Sequence, residues 1–513
     1  HGQPLAGTGF DLADFLLGMV NQFQQSDLQL TDTRFRNFNF YVQDDWKVAP
    51  RLTLNLGLRY DLPGPLYDKF NRMNKIILDP GPDFGKILYA GERGDSWSAR
   101  ALVNTDTNNW APRLGLAYRL GERWTIRAGA GVFSSTQSEA SKGVSERMAV
   151  NWPFHVNKVV LSTPRVPAVV LADGVPANFL DPGTSMPKDI QIHHWATNFP
   201  SLTVYQWNLS SQRQLTQNMV VKLAYVGSST NFITDTYDWN APGVGDPATE
   251  AQRRVFPDIT AITYTAPYGQ GSYHGLDVQF EKRFSNGFSL LTSYTWGHSM
   301  DNVGELYGPE GGVHQDKFNW AADRATSGYD IKHQFVTSYI LELPFGKGRR
   351  WVNRAGLLNQ AIGGWQLSGI TFLRTGLPFT PTVPNPRPAL GTSAVGGWRP
   401  DRIGKGTVAN PTPNRWFDAS AFVRPCYAGA CRFGNSGRNI LTAGGQVNFD
   451  FGLMKHFPIT ERMRLQFRGE IFNLFNTPAY GSPNASIGNP DVGTVRTTRS
   501  APRIMQFALR FEF

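Results

Sequence analysis

Residues 51–62 read RLTLNLGLRYDL, and within them Leu52, Leu54, Leu56, Leu58, Tyr60 and Leu62 alternate with Arg51, Thr53, Asn55, Gly57, Arg59 and Asp61. Successive side chains of a strand point to opposite faces, so alternation over about a dozen residues specifies a β-strand with one apolar and one polar surface. A helix, at about 3.6 residues per turn, would scatter the leucines around its circumference. The pattern returns at 446–457, where Val447, Phe449, Phe451 and Leu453 alternate with Asn448, Asp450, Gly452 and Met454. It returns again at 503–513, with Met505, Phe507, Leu509, Phe511 and Phe513 on one face and Gln506, Ala508, Arg510 and Glu512 on the other. Weaker runs occupy 34–48, 110–120, 123–134, 203–215, 218–230, 273–284, 287–299, 331–344, 362–375 and 461–475. A further strand near 20–31 brings the expected total to about fourteen.

The connections alternate between tight and long. VAPR at 48–51, LGER at 120–123, LTQN at 215–218, FSNG at 284–287 and FPITE at 457–461 are tight; 63–109, 135–202, 231–272, 300–330, 376–445 and 476–502 are long. A stacked sandwich has no reason to keep its long loops at one end, whereas an outer-membrane barrel has short periplasmic turns and long external loops. The fold expected is therefore all-β, an antiparallel transmembrane β-barrel occupying 20–513, with 1–19 a short connecting segment. Hairpin order then leaves Phe513 in the periplasm. The connection 345–361, PFGKGRRWVNRAGLLNQ, is long where a short turn is expected, and has room for an elaborated turn or a short helix.

In this register Arg59, Arg127, Arg464, Arg468 and Glu470 fall on polar faces and are expected to line a lumen. On the lipid face each would cost about 2 to 4 kcal/mol at the midplane. Trp46, Tyr60, Trp110, Tyr118 and Tyr294 fall near strand ends or on apolar faces, as interfacial aromatic girdles do.

Composition agrees with this class. The 52 glycines and 34 prolines among 513 residues argue against a mostly helical chain. A hydrophobic share of 41%, with 13% aromatic, is too apolar for disorder. No stretch reaches the roughly 18 uninterrupted apolar residues of a spanning helix; LADFLLGMV at 12–20 is interrupted by Asp14 and Gly18. A mean hydropathy of −0.32 does not exclude a barrel, which carries lipid-facing residues only at alternate positions. The sequence starts at His1 with no leader pattern and reads as a fragment or processed product, with any export signal upstream.

Several motifs carry a family resemblance. ADFLLG at 13–18, YVQDDWKVAPRLTLNLGLRYD at 41–61 and WAPRLGLAYRL at 110–120 resemble the barrel of TonB-dependent outer-membrane receptors. FGNSGRNIL at 433–441, NFDFGLMKHFPI at 448–459, LQFRGEIFNLFNTPAYGSPN at 465–484 and the terminal Phe513 are similar to the Oar-like branch of acidobacterial genomes. The resemblance implies a barrel of about 22 strands with an N-terminal plug, often preceded by a small carboxypeptidase-regulatory-like β-domain. This chain would then be the C-terminal portion of the barrel, with plug and signal peptide outside it. The TonB complex would act through the missing plug, and outer-membrane lipid would surround the wall. Leu509, Phe511 and Phe513 resemble the C-terminal signal read by the barrel assembly machinery.

Enzymatic constellations are thin. Asp44 and Asp45 are adjacent and point to opposite faces of a strand, so they cannot form a carboxylate pair. His193 and His194 meet the same obstacle as metal ligands and, with Trp195, are expected in a long external loop. AGAGVF at 128–133 lacks the third glycine and following helix of a nucleotide loop. Cys426 and Cys431 flank CYAGAC, which allows a small disulfide loop in an oxidising compartment or two free thiols; a zinc site would need further ligands. GKGRR at 346–350 is the densest basic cluster in a net charge of +10, and it suits anionic lipid headgroups or solvent rather than nucleic acid, which needs a contiguous basic face. No catalytic residue, metal or cofactor is expected. Three functions fit: import of a small or oligomeric solute by TonB-coupled transport, a passive pore or surface adhesin, and a secreted glycan-binding β-protein.

Overall fold

The structure, a computed structural model, describes residues 11–27, 31–135, 145–162, 166–175, 178–183, 185–242, 249–303, 314–316, 318–353, 356–383, 398–425, 432–460 and 462–513. Thirteen strands pair in sequence order into one antiparallel wall. They are β1 (Asn37–Ala49), β2 (Leu52–Pro63), β3 (Asn109–Arg119), β4 (Trp124–Ser134), β5 (Thr203–Thr216), β6 (Met219–Asp238) and β7 (Ile259–Ser285). The wall continues with β8 (Phe288–Asp301), β9 (His333–Glu342), β10 (Trp365–Arg374), β11 (Gln446–Pro458), β12 (Arg464–Phe472) and β13 (Ile504–Glu512). Two short strands join the same sheet off this path, Ile190–Trp195 parallel to β7 and Ala325–Thr326 against β8.

Register sets the two faces. Leu54 pairs with Trp46 and Leu116, Leu116 with Ala128, Ala128 with Leu209, and Leu209 with Tyr225, which keeps the apolar residues of five neighbouring strands on the same side as Leu54. At the far end Leu453 pairs with Leu367 and Gly469, and Phe467 with Leu509. This apolar face lies open: Leu58, Leu114, Leu209, Leu223, Val447, Phe507 and Leu509 are all exposed. A soluble monomer does not leave so extended an apolar surface in water, and hydrocarbon is the solvent that suits it.

Hairpin chemistry is clearest at FSNG, where Asn286 and Gly287 both adopt positive φ, +53° and +76°. Two such residues make the twist-matched turn that joins adjacent antiparallel strands. All the wall's short turns lie at this end. The exception is the connection from β9 to β10, which contains the short helix Leu357–Ile362.

Two expectations need correction. The described residues of the segment near 20–31 form no wall strand: Gln22–Ser26 pairs with Asn157–Leu161, and Met19–Val20 with Val169–Val170, in separate two-stranded sheets. Its sequence QFQQS offers one apolar residue and no lipid face. The supposed loop 231–272 is largely strand, because β6 runs to Asp238 and β7 begins at Ile259. These extensions rise beyond the wall, pass register shifts at Asn231, Ile233 and Asp235, and pack against other loops rather than lipid. Strict alternation is lost there for that reason.

β1 and β13 end the path and do not pair with each other, so the sheet is open along both edges among the described residues.

Candidate functional site

Two surfaces could meet a solute: the polar face of the wall and the cap formed by the long connections.

Hollows on the polar face of the described residues include the following pair. One, of about 310 Å³, is lined by Gln43, Asn55, Arg113, Gln206 and Asn208, with a floor of glycines. A Cβ at Gly129 would come within 3.1 Å of Asn208 Nδ2, and one at Gly115 within 3.1 Å of Asn55 Oδ1, so these positions keep the hollow open. AGAGVF is thus part of strand β4 with its glycines on the polar face, and Phe133 packs under the Arg113 guanidinium at 4.6 Å. The second hollow, of about 690 Å³, crosses β7 to β12 and mixes Gln279, Glu281, Asp450 and Glu470 with Ile340 and Ile370.

Arg59, Arg127, Arg464, Arg468 and Glu470 share this face by register. Arg59 pairs with Asp61 at 2.7 Å, and Arg127 Nη1 donates to Gln212 Oε1 at 3.1 Å. Arg464 pairs with Glu512 across β12 and β13, while Arg468 stands 3.9 Å from Glu470. Glu470 also accepts from Gln506 Nε2 at 2.5 Å and lines the larger hollow. Leu509 and Phe511 lie on the opposite, apolar face beside Phe467 and Leu465, and Phe513 follows β13, 94% exposed. Asp44 and Asp45 lie on opposite faces, opposite Leu56 and Asn55 respectively. Cys426 and Cys431 lie outside the described residues.

The cap has cores of its own. Met73, Leu102, Met148, Trp195 and Phe199 form one; Phe379, Val383, Phe417, Phe422, Leu441 and Ile487 form another; Ile76, Ile192, Ile259 and Ile262 form a third. His193 and His194 lie on the strand Ile190–Trp195 within it, not in irregular loop, and the His194 ring stacks on Tyr264 at 4.8 Å. Burial first, and then the nearby Lys75 charge, push His194 down to about 3, so it is neutral. Lys75 is itself pushed down to about 8 by burial, with Arg93 adding to the effect and Asp79 opposing it. Its Nζ donates to the Leu102 carbonyl at 2.6 Å and to Thr197 Oγ1 at 2.8 Å, beside a cavity of about 240 Å³.

Buried charges join connections that are distant in sequence. The His314 ring lies between Asp323, 2.8 Å from Nδ1, and Asp235, 2.9 Å from Nε2, and packs on Trp320. Burial opposes its charge, but the hydrogen bonds and negative charges of Asp235 and Asp323 outweigh that and raise it to about 9. With a carboxylate at each nitrogen, both nitrogens donate and the ring is an imidazolium. Arg399 Nη1 donates to the other oxygen of Asp323 at 2.6 Å. Arg438, within FGNSGRNIL, pairs with Asp301 and donates to the carbonyls of Asp323 at 3.2 Å and Val303 at 2.8 Å. Asn439 Nδ2 reaches the Thr326 carbonyl at 2.8 Å. That motif is a clasp between the 302–332 and 375–445 connections. Arg438 and Asn439 stood out only as part of the family resemblance, and none of the pairings was legible in the sequence, since each partner lies far along the chain and the pairings follow no short spacing.

A two-faced antiparallel wall with an exposed apolar surface, turns at one end and folded loops at the other, is a transmembrane β-barrel architecture. Residues 2–506 match the family described as Outer membrane beta barrel domain, and the chain belongs to that family and to the outer membrane. No protein of curated function matches it. Among solved structures it is similar to the outer membrane transporter YddB from Escherichia coli, at 11% identity and a TM-score of 0.46, covering 93% of this chain and 45% of that one. It is also similar to BauA, the ferric preacinetobactin receptor from Acinetobacter baumannii, at 13% identity and a TM-score of 0.43, covering 94% and 43%. A third is the ferripyoverdine receptor of Pseudomonas aeruginosa, at 12% identity and 0.42, covering 94% and 39%. The chain spans less than half the length of these proteins.

Proposed function

We propose that this chain supplies the C-terminal wall and the external cap of an Oar-like receptor that imports a solute by TonB-coupled active transport. The observation that carries this reading is the contrast between the two ends of the wall. One end has turns, while the other has connections folded into a cap with hydrophobic cores and buried ion pairs, above a polar face with hollows. A passive pore needs no structured cap of this size. The cap and the polar face, including Arg59, Arg127, Arg464, Arg468 and Glu470 as lumen-lining charges, would bind the solute. A plug would close the lumen, and TonB would pull it to open the path. Open edges at β1 and β13 would leave backbone groups without partners in hydrocarbon; the reading therefore includes further strands that close the barrel. Leu509, Phe511 and Phe513 would be read by the assembly machinery.

Solute uptake tests the proposal. Cells carrying the intact gene are expected to accumulate one member of a labelled panel of oligosaccharides, oligopeptides and ferric chelates, and to lose that accumulation when TonB is deleted. Uptake that persists without TonB overturns active import and leaves a pore.

A further inference from the structure

The connection between β9 and β10 breaks the rule of short turns at its end of the wall, and its construction gives a reason. Leu343 N donates to the Trp365 carbonyl at 2.9 Å, closing the hairpin, and the chain then loops out as a compact unit. Gly346 N and Trp351 N bond back to the Trp351 and Pro344 carbonyls, each at 3.0 Å, and the Phe345 and Trp351 rings pack at 5.4 Å. Lys347 N donates to Asn359 Oδ1 at 2.7 Å, which ties this basic loop to the helix Leu357–Ile362.

The helix has a defined side. Lys455 belongs to the apolar face, paired in register with Trp365 and Phe467. Its Nζ donates to the carbonyls of Ala361 at 2.8 Å and Gly363 at 3.0 Å, at the helix C-terminus, and Trp365 Nε1 also donates to Ala361 O at 3.0 Å. The helix therefore covers the outward, lipid-facing side of the wall rather than the lumen. From there it exposes Leu357 to 89% and Leu358 to 54%. Trp46, Trp124 and Trp365 lie on the same face at the same end, as an interfacial aromatic belt does. Arg213 and Lys282 lie there too; the Lys282 ammonium bends back to the Phe288 carbonyl at 2.6 Å, and the Arg213 guanidinium lies over Trp124 at 5.5 Å.

On the loop that Lys347 N ties to this helix, Lys347, Arg349 and Arg350 are all exposed, and Arg349 reaches across the wall's end to Glu342 on the polar face, at 2.7 Å. Arg350 lies over the Trp351 ring at 5.7 Å. Among the described residues no carboxylate pairs with Lys347 or Arg350. A rigid element with apolar side chains at the hydrocarbon boundary and uncompensated cations on the loop tied to it has the chemistry of an anionic phospholipid site.

We infer that the 343–364 connection is a phospholipid clamp: Lys347 and Arg350 hold the phosphate of an anionic lipid in the periplasmic leaflet, while Leu357, Leu358 and Trp351 insert beside its acyl chains. The site is independent of the import reading, because it needs only the wall in its membrane.

Native mass spectrometry of the intact protein extracted from outer membranes tests it, with phosphatidylglycerol or phosphatidylcholine titrated into the detergent. Retention of phosphatidylglycerol over phosphatidylcholine is expected, and the K347Q/R350Q variant should bind phosphatidylglycerol about 30-fold more weakly. A second variant, L357Q/L358Q, should lose quenching of bimane attached at a cysteine in place of Gln360 by brominated lipid in vesicles, measured against a Cys426/Cys431-to-Ser background. Heat-modifiable gel migration establishes that each variant is folded. Equal retention of the two lipids, or undiminished phosphatidylglycerol binding by K347Q/R350Q, overturns the inference.

Discussion

The imidazolium of His314 should make the external cap sensitive to alkaline pH. Its ring is buried between Asp235 and Asp323, and Arg399 faces the second oxygen of Asp323, so two positive groups balance two negative ones. The folded value of about 9 lies above the ordinary 6.5. A group raised on folding stabilises fully below its unfolded value and loses that contribution as pH rises through the folded value. The stabilisation is therefore complete below about pH 6.5 and gone above about pH 9, and the difference between the two values is worth about 3 kcal/mol. Hydrogen exchange of segments 314–327 and 398–402 in outer-membrane vesicles, corrected for base-catalysed intrinsic rates, reads this directly. Protection should fall by about two orders of magnitude between pH 6.5 and 9.5. The H314Q variant should show the low protection at both pH values, and the wall strands should be unaffected. Protection that does not change with pH in the wild type, or an H314Q cap as protected as the wild type at pH 6.5, would refute the reasoning.

Placing a charge on the apolar face should be costly where the same charge on the polar face is not: Leu114→Arg should lower refolding stability in vesicles by about 2 to 4 kcal/mol, while Gln206→Arg should change it little. Arg438→Met leaves Asp301 buried without its partner, which costs about 3 to 5 kcal/mol locally; limited proteolysis should then cut the 302–332 and 375–445 connections in a barrel that still migrates as folded. Gly434→Ala places a methyl group against the Arg399 carbonyl and should loosen the same clasp, read by the same proteolysis. Deleting Phe513 from the complete protein should lower the amount recovered in outer membranes, and normal recovery would remove its reading as an assembly signal.

How much the sequence revealed depended on which solvent each segment faces. Leu52 to Leu62 and Val447 to Leu453 were legible because lipid on one side and water on the other force a period of two, and the structure keeps that phase across neighbouring strands. Beyond the wall this constraint ends. Ile259, Ala261 and Ile262 are all buried in the cap, adjacent residues included, so the outer half of β7 read as loop. The segment near 20–31 went the other way: it counts as a wall strand in the sequence, but the glutamines of Gln22–Ser26 pair in a small separate ribbon. The cap's ion pairs were illegible for a different reason. Asp301 and Arg438, or Asp323 and Arg399, are brought together by topology alone, and single charged residues in long polar connections carry no sign of a distant partner. The β9–β10 connection was visible as an anomaly of length and charge, but the side of the wall it covers became apparent only from the contact of Lys455 with the helix end.

The central claim is that alternate residues of each wall strand face lipid and an aqueous lumen. Nitroxide labels placed singly at 447 to 453 along β11, in the protein embedded in outer membranes, test it most directly by their accessibility to oxygen and to a water-soluble nickel chelate. Labels at 447, 449, 451 and 453 should favour oxygen, and those at 448, 450 and 452 the nickel complex, with a period of two. Uniform accessibility, or the opposite phase, would contradict the account.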